Sequence, residues 1–153
     1  MPNDKPPSDL RDHLGYWLRA VSNALSQNFA RQVEKEGVTV AEWVFLRMLY
    51  DANRIAPSML AERMGMTRGA ISKLAERLDE KGLVEHEANP TDRRAQVLAL
   101  TQAGRALVPA LAEIADANDA AFFKMLAPDE QRALRALLMK IVSERKLTKA
   151  PID

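Results

Sequence analysis

A mainly α-helical fold carrying one small β-hairpin is predicted by three features of the sequence. Apolar residues recur at three- and four-residue steps through most of the chain, and stop and start signals cut that pattern into six helical pieces. One stretch of short, partly alternating, β-capable segments around a proline-containing turn interrupts it. Aromatic residues are only 5% of the chain while Ala, Leu and Met are plentiful, a balance that suits helices rather than a β-sandwich.

The elements follow in order. Leu10, Leu14, Trp17, Leu18, Val21, Leu25, Phe29 and Val33 share one face of a single helix predicted over residues 8–35, which Gly37 stops. Thr39-Val40-Ala41-Glu42 is a capping-box pattern, so a second helix is predicted over 40–50. Pro57-Ser58 opens a short third helix over 59–64, ended by Gly65. Thr67 caps a fourth over 68–80, ended by Lys81-Gly82. Residues 83–87 and 96–100 are predicted strands, joined by the turn chemistry of Asn89-Pro90-Thr91-Asp92. Thr101 and Gly104 lead into a helix over 102–125, which Pro109 is expected to kink or restart. Ala127-Pro128-Asp129-Glu130 places proline and two acids in the first turn of a last helix that runs to about residue 145.

Composition excludes several function classes. With 153 residues, 47% apolar and 28% charged, the chain has the core of an ordinary packed domain. It contains no cysteine, which removes disulfides, thiolate nucleophiles, zinc–thiolate sites and thiol redox switches. His13 and His86 are the only histidines, so a metal sensor is poorly supplied with ligands. No apolar run is long enough to cross a bilayer, and residues 1–10 are polar and proline-rich rather than signal-like. A cytoplasmic protein is expected. No GxSxG or GxGxxG occurs, and no histidine pairs with a carboxylate on a predictable face, so neither an enzyme nor a cofactor is expected.

The informative stretch runs from Ser58 to Leu100: short helix, glycine-containing turn, second helix, hairpin. This is the layout of a winged helix-turn-helix, in which the second helix enters the DNA major groove. On a wheel of residues 68–80, Ile71, Leu74, Ala75 and Leu78 form the buried side. Gly69, Ala70, Ser72, Lys73, Glu76 and Arg77 fall opposite, with Arg68 at the edge. Thr67, Arg68, Gly69, Ala70, Ser72, Lys73 and Arg77 are therefore the candidate groove-facing residues. The small ones let the backbone approach, Ser72 offers a hydrogen bond, and the cations meet phosphate or base edges. At the hairpin tip, Asp92, Arg93 and Arg94 are further candidates, because a wing arginine suits the negative potential of a narrow minor groove. Net charge alone is uninformative. Between residues 54 and 105, nine Arg and Lys face seven Asp and Glu, so the argument rests on where the cations point.

The run from Leu83 to Arg94, followed by Leu98-Ala99-Leu100-Thr101-Gln102-Ala103-Gly104, resembles the wing of the multiple antibiotic resistance regulator (MarR) family. So does the preceding stretch from Leu60-Ala61-Glu62-Arg63-Met64 to Lys81-Gly82. The family's Asp-x-Arg wing signature falls on Asp92 and Arg94. The resemblance covers about residues 10–146, strongly in the wing and only generically in the first helix. It implies a two-fold homodimer with dimerisation helices over 8–36 and 102–146 around a DNA-reading module over 38–101. It also implies a transcriptional regulator, by family expectation a repressor, bound to a pseudo-palindromic double-stranded operator.

Two apolar series fit such an interface: Leu107, Leu111, Ile114, Phe122 and Leu126, then Leu134, Leu137, Leu138, Ile141 and Val142. The resemblance further implies release by a small aromatic or anionic effector, for which His13, Tyr16, Trp17, Trp43 and Arg47 are the candidate pocket residues. The absence of cysteine sets the chain apart from peroxide-sensing relatives. The alternative is a winged-helix protein-interaction module that neither binds DNA nor answers a ligand; the basic outer face and Arg93-Arg94 argue against it.

Overall fold

The computed structural model describes residues 4–92, 94–148 and 151. Its α-helices are α1 (Leu14–Glu34), α2 (Val40–Ala52), α3 (Pro57–Met64), α4 (Arg68–Glu80), α5 (Gln102–Phe122) and α6 (Pro128–Arg145). Its strands are β1 (Arg54–Ile55), β2 (Val84–Ala88) and β3 (Gln96–Leu100), ordered β1-β3-β2 in one antiparallel sheet.

Local chemistry accounts for most boundaries. Thr39 Oγ1 accepts the Glu42 N–H at 3.1 Å and the Glu42 carboxylate accepts the Thr39 N–H at 3.1 Å, the reciprocal cap expected of this sequence. Gly65 turns α3 toward α4 with φ +63°, a left-handed conformation that glycine adopts without a Cβ penalty. Thr67 and Thr101 cap α4 and α5, accepting from Ala70 and Gly104.

Three elements depart from the sequence reading. The first helix is broken: Leu10–Asp12 form a 3-10 turn, His13 is extended (φ −94°, ψ 126°), and α1 starts at Leu14. The break is local. Asp9 and Asp12 cap one another's backbone, while the apolar spacing runs on across it from Leu10 to Leu14. Pro109 neither ends nor restarts α5, which is continuous through it. The carbonyl of Arg105, four residues earlier, loses its N–H partner, but Arg105 and Pro109 both face solvent and water can take that bond. Finally, β1 is an additional strand, pairing Arg54 with Ala99 and Ile55 with Leu98.

The core gathers beneath the sheet and among α2, α3 and α4, around Phe45, Leu46, Leu60, Ile71, Leu78 and Leu98. It continues through Val33 to Val108 and Leu111, so α1 and α5 are anchored by their inner ends. The outer parts of α1 and the whole of α6 contribute no buried residue. Among the described residues no helix is long and apolar enough to cross a membrane.

Candidate nucleic-acid interface

Helix α4 divides as its sequence requires. Ile71, Leu74, Ala75 and Leu78 are buried, whereas Arg68, Gly69, Ser72, Lys73, Glu76 and Arg77 are exposed and Ala70 is half-buried. The Thr67 hydroxyl accepts the Ala70 N–H at 3.1 Å, leaving its O–H to donate outward at the positive end of the helix dipole. A Cβ on Gly69 would meet only Thr67 Oγ1, at 4.0 Å. None of the described residues fills the space over Gly69, which is open to an approaching surface.

The wing tip is shaped by two side chains. Asn89 Oδ1 accepts the Thr91 N–H at 3.0 Å and the Thr91 hydroxyl at 2.9 Å. Asp92 Oδ1 accepts the backbone N–H of Arg94 at 3.0 Å, so the carboxylate fixes the turn that aims Arg94. Arg94 is exposed; Arg93 lies outside the described residues. Arg54 on β1 reaches across β3 to Glu87 on β2 at 2.5 Å, tying the sheet together beneath the tip. His86 on β2 lies 3.4 Å from Asp79 on α4, so wing and helix also touch directly.

The remaining candidates are dispersed. Trp43 lines a cavity of about 370 Å³ between α1, α2 and α5, with Leu25, Ser26, Phe29, Val44 and Asn118 among its other walls. None of His13, Tyr16, Trp17 and Arg47 lines that cavity in the single chain. Arg47 pairs with Asp51 at 2.8 Å and stands 5.8 Å from the Tyr50 ring centre. His13 sits beside the Ser8 hydroxyl at 3.4 Å. Tyr16 and Trp17 meet edge to face, and Trp17 Nε1 donates to the Arg11 carbonyl at 2.9 Å.

Two polar clusters escaped the sequence reading. Asn118, 4% exposed, accepts from Asn28 at 2.8 Å and Gln32 at 3.1 Å, joining α5 to α1. Glu42, 1% exposed, holds the Lys81 ammonium. Glu42 carries a capping signature that accounts fully for its presence, and no sequence signal links it to Lys81, 39 positions on.

A sequence profile of the MarR family matches residues 36–95, which span α2 through β2 and the wing turn. A Thauera aromatica protein named as a transcriptional regulatory protein for the hcr operon is 34% identical over 143 residues, covering 91% of this chain and 84% of its own. The chain belongs to the MarR family. Further relatives are named as transcriptional repressors. Among solved structures, an Escherichia coli MarR variant in complex with operator DNA superposes with a TM-score of 0.76 at 27% identity, over 88% of this chain and 99% of that one. Bordetella bronchiseptica BpsR, whose DNA binding is regulated by 6-hydroxynicotinic acid, also gives a TM-score of 0.76, at 26% identity over 89% of this chain and 97% of that one. This family membership makes the protein a DNA-binding transcriptional regulator of winged-helix fold rather than an enzyme.

Proposed function

We propose that the chain is a homodimeric, cytoplasmic repressor that reads a pseudo-palindromic operator and leaves it when a small aromatic or anionic effector binds. The observation that carries this reading is the exposed face of α4, with Arg68, Ser72, Lys73 and Arg77 beside a wing that presents Arg94. Ser72 and Lys73 are assigned to base edges. Thr67, Arg68, Arg77 and the wing residues Asp92, Arg93 and Arg94 are assigned to phosphate and minor-groove positioning. Gly69 and Ala70 leave room for the groove wall.

Residues 8–36 and 102–146 are assigned to the dimer frame and 38–101 to the reading module. Large apolar side chains stand exposed on both frame segments, including Leu14, Trp17 and Leu18 on α1 and Leu137, Met139 and Ile141 on α6. Two such surfaces cover one another in a two-fold pair.

The Trp43 cavity is assigned to the effector. It lies where α1 and α5 meet α2, so a ligand wedged there alters the angle between frame and module. His13, Tyr16, Trp17 and Arg47 join this assignment only through the partner subunit or a rearranged frame. Coupling is reciprocal: an effector that weakens operator affinity tenfold must bind the DNA complex tenfold more weakly, about 1.4 kcal/mol.

Selection of a duplex from a randomised library, followed by titration with 6-hydroxynicotinic acid and related aromatic acids, tests the reading. An enriched palindrome released by one of these compounds is expected. Failure of the protein to enrich any sequence would overturn it.

A further inference from the structure

We infer that Lys81 is a positioning residue for operator reading: its ammonium sets the pose of α4 against the corner between α1 and α2. This rests on the reading of α4 as the recognition helix.

The geometry is a three-point hold. Lys81, the residue that closes α4, donates to Glu42 Oε1 at 3.0 Å, Glu42 Oε2 at 2.8 Å and the Gly37 carbonyl at 2.8 Å. An ammonium has three donors, and here each has an acceptor. Glu42 is itself fixed, since its carboxylate also accepts the Thr39 N–H in the first turn of α2. Gly37 lies in the corner that follows α1. One cation therefore joins the end of α4 to α2 and to the corner that follows α1.

Among the described residues, the other charged contact from α4 to another element runs from Asp79 to His86 on β2, toward the wing rather than the α1–α2 corner. The helix packs chiefly on α2, α3 and β2 through Ile71, Leu74, Ala75 and Leu78. That packing sets which face of α4 is buried, and the Lys81 hydrogen bonds add a directional tie at its C-terminal end. Charge-assisted hydrogen bonds are short, and they weaken steeply as the donor–hydrogen–acceptor angle closes toward about 120°. A buried carboxylate such as Glu42 also strongly resists losing its partner. Base contacts have the same narrow tolerance. A dimer that must fit two grooves together depends on each α4 keeping its pose relative to α1. With its donors committed inward, Lys81 is not assigned to phosphate.

The test uses the duplex that the parent protein enriches from a randomised library, with a random-sequence duplex of equal length as reference. Lys81→Met is expected to lower the preference for the enriched duplex about tenfold or more, on the scale of one lost base contact. Affinity for the random duplex and its salt dependence should stay at parental values. Lys81→Arg should recover most of the preference. The double variant Glu42→Leu/Lys81→Met removes both charges, so it should regain any thermal stability the single change costs while still lacking the preference. A double variant with parental preference would reduce the pair to a structural role and overturn the inference, and it decides the matter if Lys81→Met fails to fold. A flattened salt dependence in Lys81→Met would make Lys81 a phosphate contact and overturn it equally. A parent that enriches no duplex overturns the recognition-helix reading itself, an outcome seen before any variant is made.

Discussion

Gly69 is not required by its own neighbours in the chain. Glycine inside a helix costs about 0.5–1 kcal/mol relative to alanine, and no neighbouring atom requires it here, since an added Cβ would touch nothing nearer than 4.0 Å. Gly69→Ala is therefore expected to raise the melting temperature slightly while lowering operator affinity. A variant that gains both would remove Gly69 from the interface. The cations divide by role in the same way. Arg94→Ala should weaken binding to any duplex and reduce the salt dependence, because its contribution is electrostatic and sequence-independent. Ser72→Ala and Lys73→Ala should instead shift preference among operator sequences, by about 1–3 kcal/mol for each lost base contact. Competition binding at several salt concentrations separates the two behaviours, and uniform losses from all three would remove the distinction.

At the scale of elements, the junction between α4, β2 and α5 is closely packed. Thr101 donates its N–H to the Leu83 carbonyl at 3.1 Å and its hydroxyl to the Gly82 carbonyl at 2.6 Å. Gly104 packs so closely that a Cβ there would lie 2.1 Å from the Leu83 oxygen and 3.0 Å from its carbon. Both are backbone atoms and cannot rotate away. Gly104→Ala is expected to destabilise the fold by about 1–3 kcal/mol, the usual range for overpacking, read as a lowered thermal midpoint. Unchanged stability would mean that wing and α5 separate freely.

This junction also marks what the sequence could disclose. Gly104 was legible as the opening of a helix, and Thr101 as its cap, because both signals are local. The close approach of Leu83 was not, since it comes from a segment about twenty positions earlier folding back. The same distinction explains β1, a two-residue strand with no alternation of its own, formed only when β3 arrives beside it. It explains Lys81 as well, whose partner is set by tertiary packing. The outer face of α4 and the wing turn were legible because helical periodicity and turn chemistry act over a few residues. The effector candidates were grouped by their aromatic and cationic chemistry on the first two predicted helices and by resemblance, and in the single chain they do not converge on one cavity.

At the scale of the whole molecule, the single chain leaves one helix unexplained. The 18 residues of α6 contain no buried position, yet Leu137, Met139, Ile141 and Val142 are each at least 46% exposed. Most helical stability in a protein comes from packing of an amphipathic face, so this apolar surface needs a cover. Exposed Leu10 in the 3-10 turn, with Leu14 and Trp17 at the start of α1, has the same need at the other end of the sequence. A second copy would cover both and would place two α4 helices on one frame, which a palindrome requires. Replacing Leu138 and Ile141 together by Glu puts charge into that surface without touching the module core, because both side chains already face solvent in the single chain. The variant is expected to be monomeric by light scattering and to keep its helical circular dichroism from α1 through α5. Its affinity for a full operator should fall about a hundredfold or more, since the second half-site contact no longer benefits from a high effective concentration. Affinity for an isolated half-site should change little. A parent that scatters as a monomer at micromolar concentration, or a doubly charged variant that stays dimeric, would show that α6 is not the subunit contact and that operator symmetry must be met by another surface.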